Sequence, residues 1–211
     1  MLNLSRRSFA PWLVSFAMVA GAAVHAADIK APEVLIKEVS SDVLDAVKAD
    51  KTIQAGDVQK VVALVDAKVM PHVNFQRMTA SAVGRFWRQA TPEQKTRLQD
   101  EFKVLLVRTY SGALAEVKDQ IVSIKPMRSA PTDTEVVVRT EVRGKGDPIQ
   151  LDYRLEKADA GWRIYDVNVL GVWLVDNYRS SFAQEIGANG IDGLITKLTE
   201  RNKAARSGSK G

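Results

Sequence analysis

Along the first part of the chain apolar residues recur at every third or fourth position, and past Asp119 the interval falls to two. Pro32 stands where a first-turn proline belongs, and Val34, Leu35, Val39, Val43, Leu44 and Val47 make a helical stripe to about Ala49. Val58, Val61, Val62, Leu64, Val65 and Val69 predict a second helix between Asp57 and Pro71. Residues 75–83 predict a short third, stopped by Gly84. Thr91, Pro92 and Gln94 then spell a capped start: Thr caps, Pro takes the first turn, and Gln at the third position closes a capping box. From there Leu98, Phe102, Leu105, Leu106, Thr109, Tyr110, Ala113 and Val117 keep one face apolar over roughly 40 Å.

The second pattern is alternation. Residues 121–127 read as a strand. In 134–143, Val136, Val138 and Val142 share a face against Glu135, Arg139, Glu141 and Arg143. In 148–156, Ile149, Leu151, Tyr153 and Leu155 alternate with Gln150, Asp152, Arg154 and Glu156. Residues 162–169 are apolar on both faces, as in a strand covered on both sides. Short turns at 144–147 and 158–161 join these segments into an antiparallel meander of four strands with one apolar face. Helices precede and follow it, so the expected class is α+β. Gly171 ends the last strand, and Val172, Val175, Tyr178 and Phe182 resume at helical spacing. Residues 203–211 are small and polar and read as a flexible tail.

Composition acts mainly by exclusion. With 45% hydrophobic and 26% charged residues, the 211-residue chain is an ordinary globular one with room for a core. Arg6-Arg7, an apolar run over 11–24 and the small-residue site Val24-His25-Ala26 have the order of a secretory signal cleaved after Ala26. Ser5-Arg6-Arg7-Ser8-Phe9 also fits a twin-arginine signal, so both export routes stay open and the expected compartment is the periplasm. The run is too short to span a bilayer, and no transmembrane span is expected in the mature chain. Residues 1–26 hold two arginines and no acid, so their loss takes the formal charge from +5 to +3. A surplus that small gives no basic stripe for nucleic acid. His72 is then the only histidine in a chain without cysteine, which removes the means of building a zinc site or a His-based triad. Following Pro71, it reads as an exposed loop residue.

Residues 161–198 hold a Trp-containing strand, a Gly171-Val172 turn, the triplet Asn177-Tyr178-Arg179 and a closing segment Gly190-Ile191-Asp192-Gly193-Leu194-Ile195. This run resembles the signature of the MlaC, or toluene-tolerance, family of periplasmic phospholipid-binding auxiliary proteins of an ABC transporter, and the resemblance covers most of the mature chain. One position departs: the pattern has a small serine after Gly-Val, and this chain has Trp173. The resemblance implies a nuclear-transport-factor-like cone. In it a curved sheet and the long helix (about 91–173) join an all-helical part (about 30–90 and 174–202) in one domain over 27–202. Lipid tails would lie between the two parts. It further implies phospholipid as cargo, with no cofactor, metal or catalysis. The implied partners are an outer-membrane lipoprotein–porin complex and an inner-membrane ABC transporter that maintain outer-membrane lipid asymmetry.

A lipid cavity is lined by the same residue types as a solid core. The candidate wall from the helices is Phe75, Met78, Phe86, Trp87, Phe102, Leu106 and Tyr110. The sheet offers Val136, Val138, Leu151, Tyr153 and Ile164, and the signature segment Trp173, Tyr178 and Phe182. Arg179 reads either as a phosphate contact at the mouth or as the partner of Asp166 or Asp176 at the strand-to-helix corner. Strict alternation puts Asp166 on the side of Trp162 and Ile164, semi-buried. There it supports the alternative of a cone-fold isomerase or hydrolase acting on a small apolar substrate, with Asp166 as general base.

Overall fold

The computed structural model describes residues 30–207 apart from Lys118 and Pro131; the expected signal segment 1–26 and residues 208–211 lie outside them. Helix α1 (Pro32–Ala49) begins on its proline and ends at Asp50. The Asp50 carboxylate accepts from Thr52 N at 2.8 Å and so starts a one-turn helix, α2 (Lys51–Gln54). Asp57 caps α3 (Val58–Leu64) in the same way, through the N–H groups of Gln59 and Lys60. The predicted second helix does not run unbroken to Pro71. After Leu64 it widens into a π-helical turn, Val65–Val69, and tightens into a 3-10 turn, Met70–His72. Pro71 has no N–H to donate and its ring crowds the carbonyl one turn back, which disfavours regular α-helix there. His72, expected in an exposed loop, is half-buried at the end of that turn.

Asn74 caps α4 (Phe75–Val83), which Gly84 ends at φ 65°. A 3-10 turn, Gly84–Arg88, then leads to α5 (Pro92–Ala115). The capping box spelled by the sequence is present: Gln94 N donates to Thr91 Oγ1 at 3.2 Å, and Thr91 N to Gln94 Oε1 at 3.0 Å.

Strands β1 (Ile121–Ile124), β2 (Glu135–Arg143), β3 (Ile149–Ala158), β4 (Gly161–Val169) and β5 (Val172–Trp173) pair antiparallel in chain order. The class is α+β, as expected, with a fifth strand added to the expected four. Leu170 (φ 52°) and Gly171 (φ 90°) both take positive φ, the geometry of a two-residue hairpin turn. Val172 and Trp173 therefore fold back onto Val169 and Asn168 before any helix begins.

A second departure lies in β4. Leu155 pairs with Ile164 but Arg154 pairs with Asp166, which makes Tyr165 the extra residue of a β-bulge. The bulge turns Tyr165 and Asp166 to the polar face. Tyr165 donates there to Glu135 Oε2 at 3.0 Å, and the Arg77 guanidinium lies 3.6 Å above its ring. Asp166 is thus opposite in facing to Trp162 and Ile164, contrary to strict alternation.

Helix α6 (Leu174–Ser207) continues past residue 203, where a tail was expected, and bends at Gly190 (φ 72°, ψ −179°). Beyond the bend it lies along α5, where Thr199 and Asn202 donate to the Glu101 carboxylate at 2.8 and 2.7 Å. The Gly190 backbone belongs essentially to glycine, so Gly190→Ala is expected to cost about 1–3 kcal/mol. Urea unfolding should show a lower midpoint with unchanged slope. An unshifted midpoint would mean the bend relaxes freely.

Candidate functional site

Helix α1 lies across the apolar face of the sheet, where Leu35, Ile36 and Val39 meet Val138, Leu155 and Ile164. Tyr153 packs into this layer; burial pushes its phenol up to about 12, while a hydrogen bond with Ser40 acts in the other direction. A second apolar layer is enclosed by α4, α5 and α6 and centres on Phe102, which is fully buried. Its ring meets Tyr178 and Phe182 edge-on at 5.1 and 5.3 Å and Phe75 at 5.9 Å. Val73 and Val167 pack against both layers and make them continuous. A bond from Asn74 N to Ile164 O at 2.8 Å ties α4 to the sheet at that seam.

Most of the candidate wall residues fall in these two layers. Phe75, Met78, Phe86, Trp87, Phe102, Leu106, Tyr178 and Phe182 belong to the helical layer. Val136, Val138, Tyr153 and Ile164 belong to the sheet layer. Tyr110 is half-buried; burial raises its pKa, with a smaller push from Tyr178. Leu151 is half-buried between Thr140 and Val169 in the register of the sheet. Trp173 joins neither layer. It pairs with Asn168 on the polar face, and Arg154 stacks 3.9 Å from its ring centre. Sequence reasoning missed the cover supplied by α1 and the bridging residues Val73 and Val167.

Asp166, 1% exposed, is held on three sides. Its Oδ1 accepts from Val167 N at 2.9 Å and from Val175 N at 3.1 Å, and its Oδ2 takes Arg154 Nη1 at 2.9 Å. Burial pushes this carboxyl up; the two backbone N–H groups and Arg154 oppose that push, and the charge of Asp176 adds to it. Arg154 also reaches Asp176 at 3.5 Å. Arg179 is not the partner of Asp166. It donates from Nε to Ser81 O at 3.1 Å and stands 3.8 Å from Asp176. The carboxylate thus serves as an anchor for the first turn of α6, with its oxygens occupied by protein donors.

An apolar sandwich of sheet and helices, closed at a strand-to-helix corner, is the arrangement that the sequence signature implied. The sequence model of the MlaC protein family matches residues 37–200. The chain belongs to the MlaC family. It is 24% identical to the toluene tolerance protein Ttg2D of Pseudomonas putida, over 97% of this chain and 96% of that protein. It is 21% identical to the intermembrane phospholipid transport system binding protein MlaC of Haemophilus influenzae, over 80% of this chain and 81% of the relative. Among solved structures it is similar to the phospholipid-binding protein from Ralstonia solanacearum in complex with a phospholipid. That likeness has a TM-score of 0.80 and 47% identity, covering 82% of this chain and 98% of that one. Within the MlaC frame, the corner residues Tyr178 and Phe182 are core members of the helical layer. Among the described residues no helix is long and apolar enough to cross a membrane.

Proposed function

We propose that the protein carries phospholipid through the periplasm, holding the acyl chains between the sheet layer and the helical layer. The observation that carries this reading is the phospholipid bound by the solved relative at 47% identity, which this chain matches over 98% of that structure. The physical demand is large. Each exposed CH₂ costs about 0.8 kcal/mol, so two chains of about fifteen carbons would cost on the order of 20 kcal/mol in water. Two apolar layers that meet through side chains, at Val73 and Val167, supply wall for such chains with few hydrogen bonds to break. Bound lipid should leave only into another apolar channel, which suits exchange between an outer-membrane lipoprotein–porin complex and an inner-membrane ABC transporter. Residues 1–26 act as the export signal in this scheme, and no covalent chemistry is required.

The test is extraction of protein purified from cells with organic solvent, followed by mass spectrometry. Near-stoichiometric phospholipid is expected. Lipid-free, correctly folded protein that also takes up no phospholipid from vesicles would overturn the reading.

A further inference from the structure

The helical layer reaches the surface at the 3-10 turn Gly84–Arg88. Phe86 and Trp87 are half-buried, each packed against the core of that layer. Their other sides carry cations: the Arg85 guanidinium lies 4.9 Å from the Phe86 ring centre, and Lys95 Nζ 5.7 Å from that of Trp87. Arg88, in the same turn, is exposed. Among the described residues none of these three cations makes an ion pair, in contrast to Arg77 on α4 and Arg154 on β3, each held by two carboxylates. The acid nearest along the chain, Glu93, sits in the first turn of α5 and is bonded to its own backbone N–H and to Thr91. Among the described residues no carboxylate forms an ion pair with the turn.

Aromatic rings whose inner side is apolar and whose outer side is cationic fit the boundary between headgroups and acyl chains. We infer that the turn Gly84–Arg88, with Lys95, is the surface by which the protein settles on an anionic phospholipid bilayer. The inference rests on the proposed carriage of phospholipid. An acidic protein would satisfy the cations alone. A bilayer satisfies the cations and the rings together, and does so where the layer proposed to hold the tails comes to the surface. The electrostatic part is long-ranged and shortens with salt; the aromatic part is neither.

The experiment is co-sedimentation of the mature protein with vesicles of phosphatidylglycerol and phosphatidylcholine in equal parts, against vesicles of phosphatidylcholine alone. Wild type is expected to bind the anionic vesicles and to release from them at high salt. Each neutralised cation should lower partitioning about fivefold, so the triple variant Arg85→Gln, Arg88→Gln, Lys95→Gln should lose on the order of a hundredfold. A control with equal charge loss at exposed sites elsewhere, Lys37→Gln, Lys51→Gln, Lys157→Gln, should stay near wild type. Trp87→Ser should lower partitioning further without changing the charge. Equal loss in the control, unchanged partitioning of Trp87→Ser, or no preference for anionic vesicles would each overturn the inference. Lipid content of the same samples, read by mass spectrometry, keeps this outcome separate from the carrier reading: a lipid-loaded protein indifferent to vesicles sinks only the docking surface.

Discussion

Phe102→Ala should lower the unfolding free energy of lipid-free protein by about 3–5 kcal/mol. The ring is fully buried on α5 and is touched by Phe75 from α4 and by Tyr178 and Phe182 from α6. Truncation removes its transfer energy and its edge-to-face contacts, the latter worth about 0.5–1.5 kcal/mol each. It also leaves a void that cannot collapse easily, because Tyr178 and Phe182 hold each other at 5.5 Å across the gap. If acyl chains lie against this layer, bound lipid fills part of the void and adds its own binding energy to the native state. The loss should therefore be smaller in lipid-loaded protein. Urea midpoints of stripped and loaded protein, wild type and variant, measure all four states. A loss below about 1 kcal/mol in the stripped form would mean that Phe102 is not the centre of the layer.

The helices were readable because their ends are written locally. The Thr91–Gln94 box, Asp57 ahead of α3 and the Gly84 stop all act within a turn of where they stand. Alternation likewise gave β2 and β3 and the apolar set on each. What failed were features decided by partners distant in sequence or by rare backbone. A bulge at Tyr165 is visible only once β3 supplies the register, and it inverts the facing of Asp166. Leucine seldom takes positive φ, so Leu170 gave no sign of a hairpin, and the short β5 it creates carries Trp173 to the polar face. The wall was legible as a set of apolar residues but not as a site. Phe102 and Val138 look the same in sequence whether they face a tail or one another, and nothing local says that α1 is the element laid over the sheet.

Asp166→Ala is the second large effect, about 3 kcal/mol of destabilisation. The cost is one of abandonment: Arg154, partly solvated at 31% exposure, keeps only Asp176, and the N–H groups of Val167 and Val175 lose their acceptor at a buried corner. Asp166→Asn keeps the shape and one acceptor for Val175, so it should cost about 1–2 kcal/mol, in the range of a single weakened charged hydrogen bond. Its pH dependence separates anchor from charge. Burial raises the native carboxyl above its ordinary value, so the native state holds this proton more firmly than the unfolded chain does. Wild-type stability from this group is accordingly highest below the ordinary carboxylate range. It falls as pH rises from the unfolded value through the raised native one and is level above it. Glu135 and Glu141 are shifted down by their hydrogen bonds to Arg77 and Lys125 and slope the other way, but they are common to both proteins and cancel in the difference. The wild-type minus Asp166→Asn curve should therefore descend with pH across that window, with phospholipid content unchanged in the variant. A difference that climbs with pH would mean Arg154 and the backbone donors outweigh burial. Loss of lipid from a folded variant would give Asp166 a part in cargo binding beyond anchoring α6.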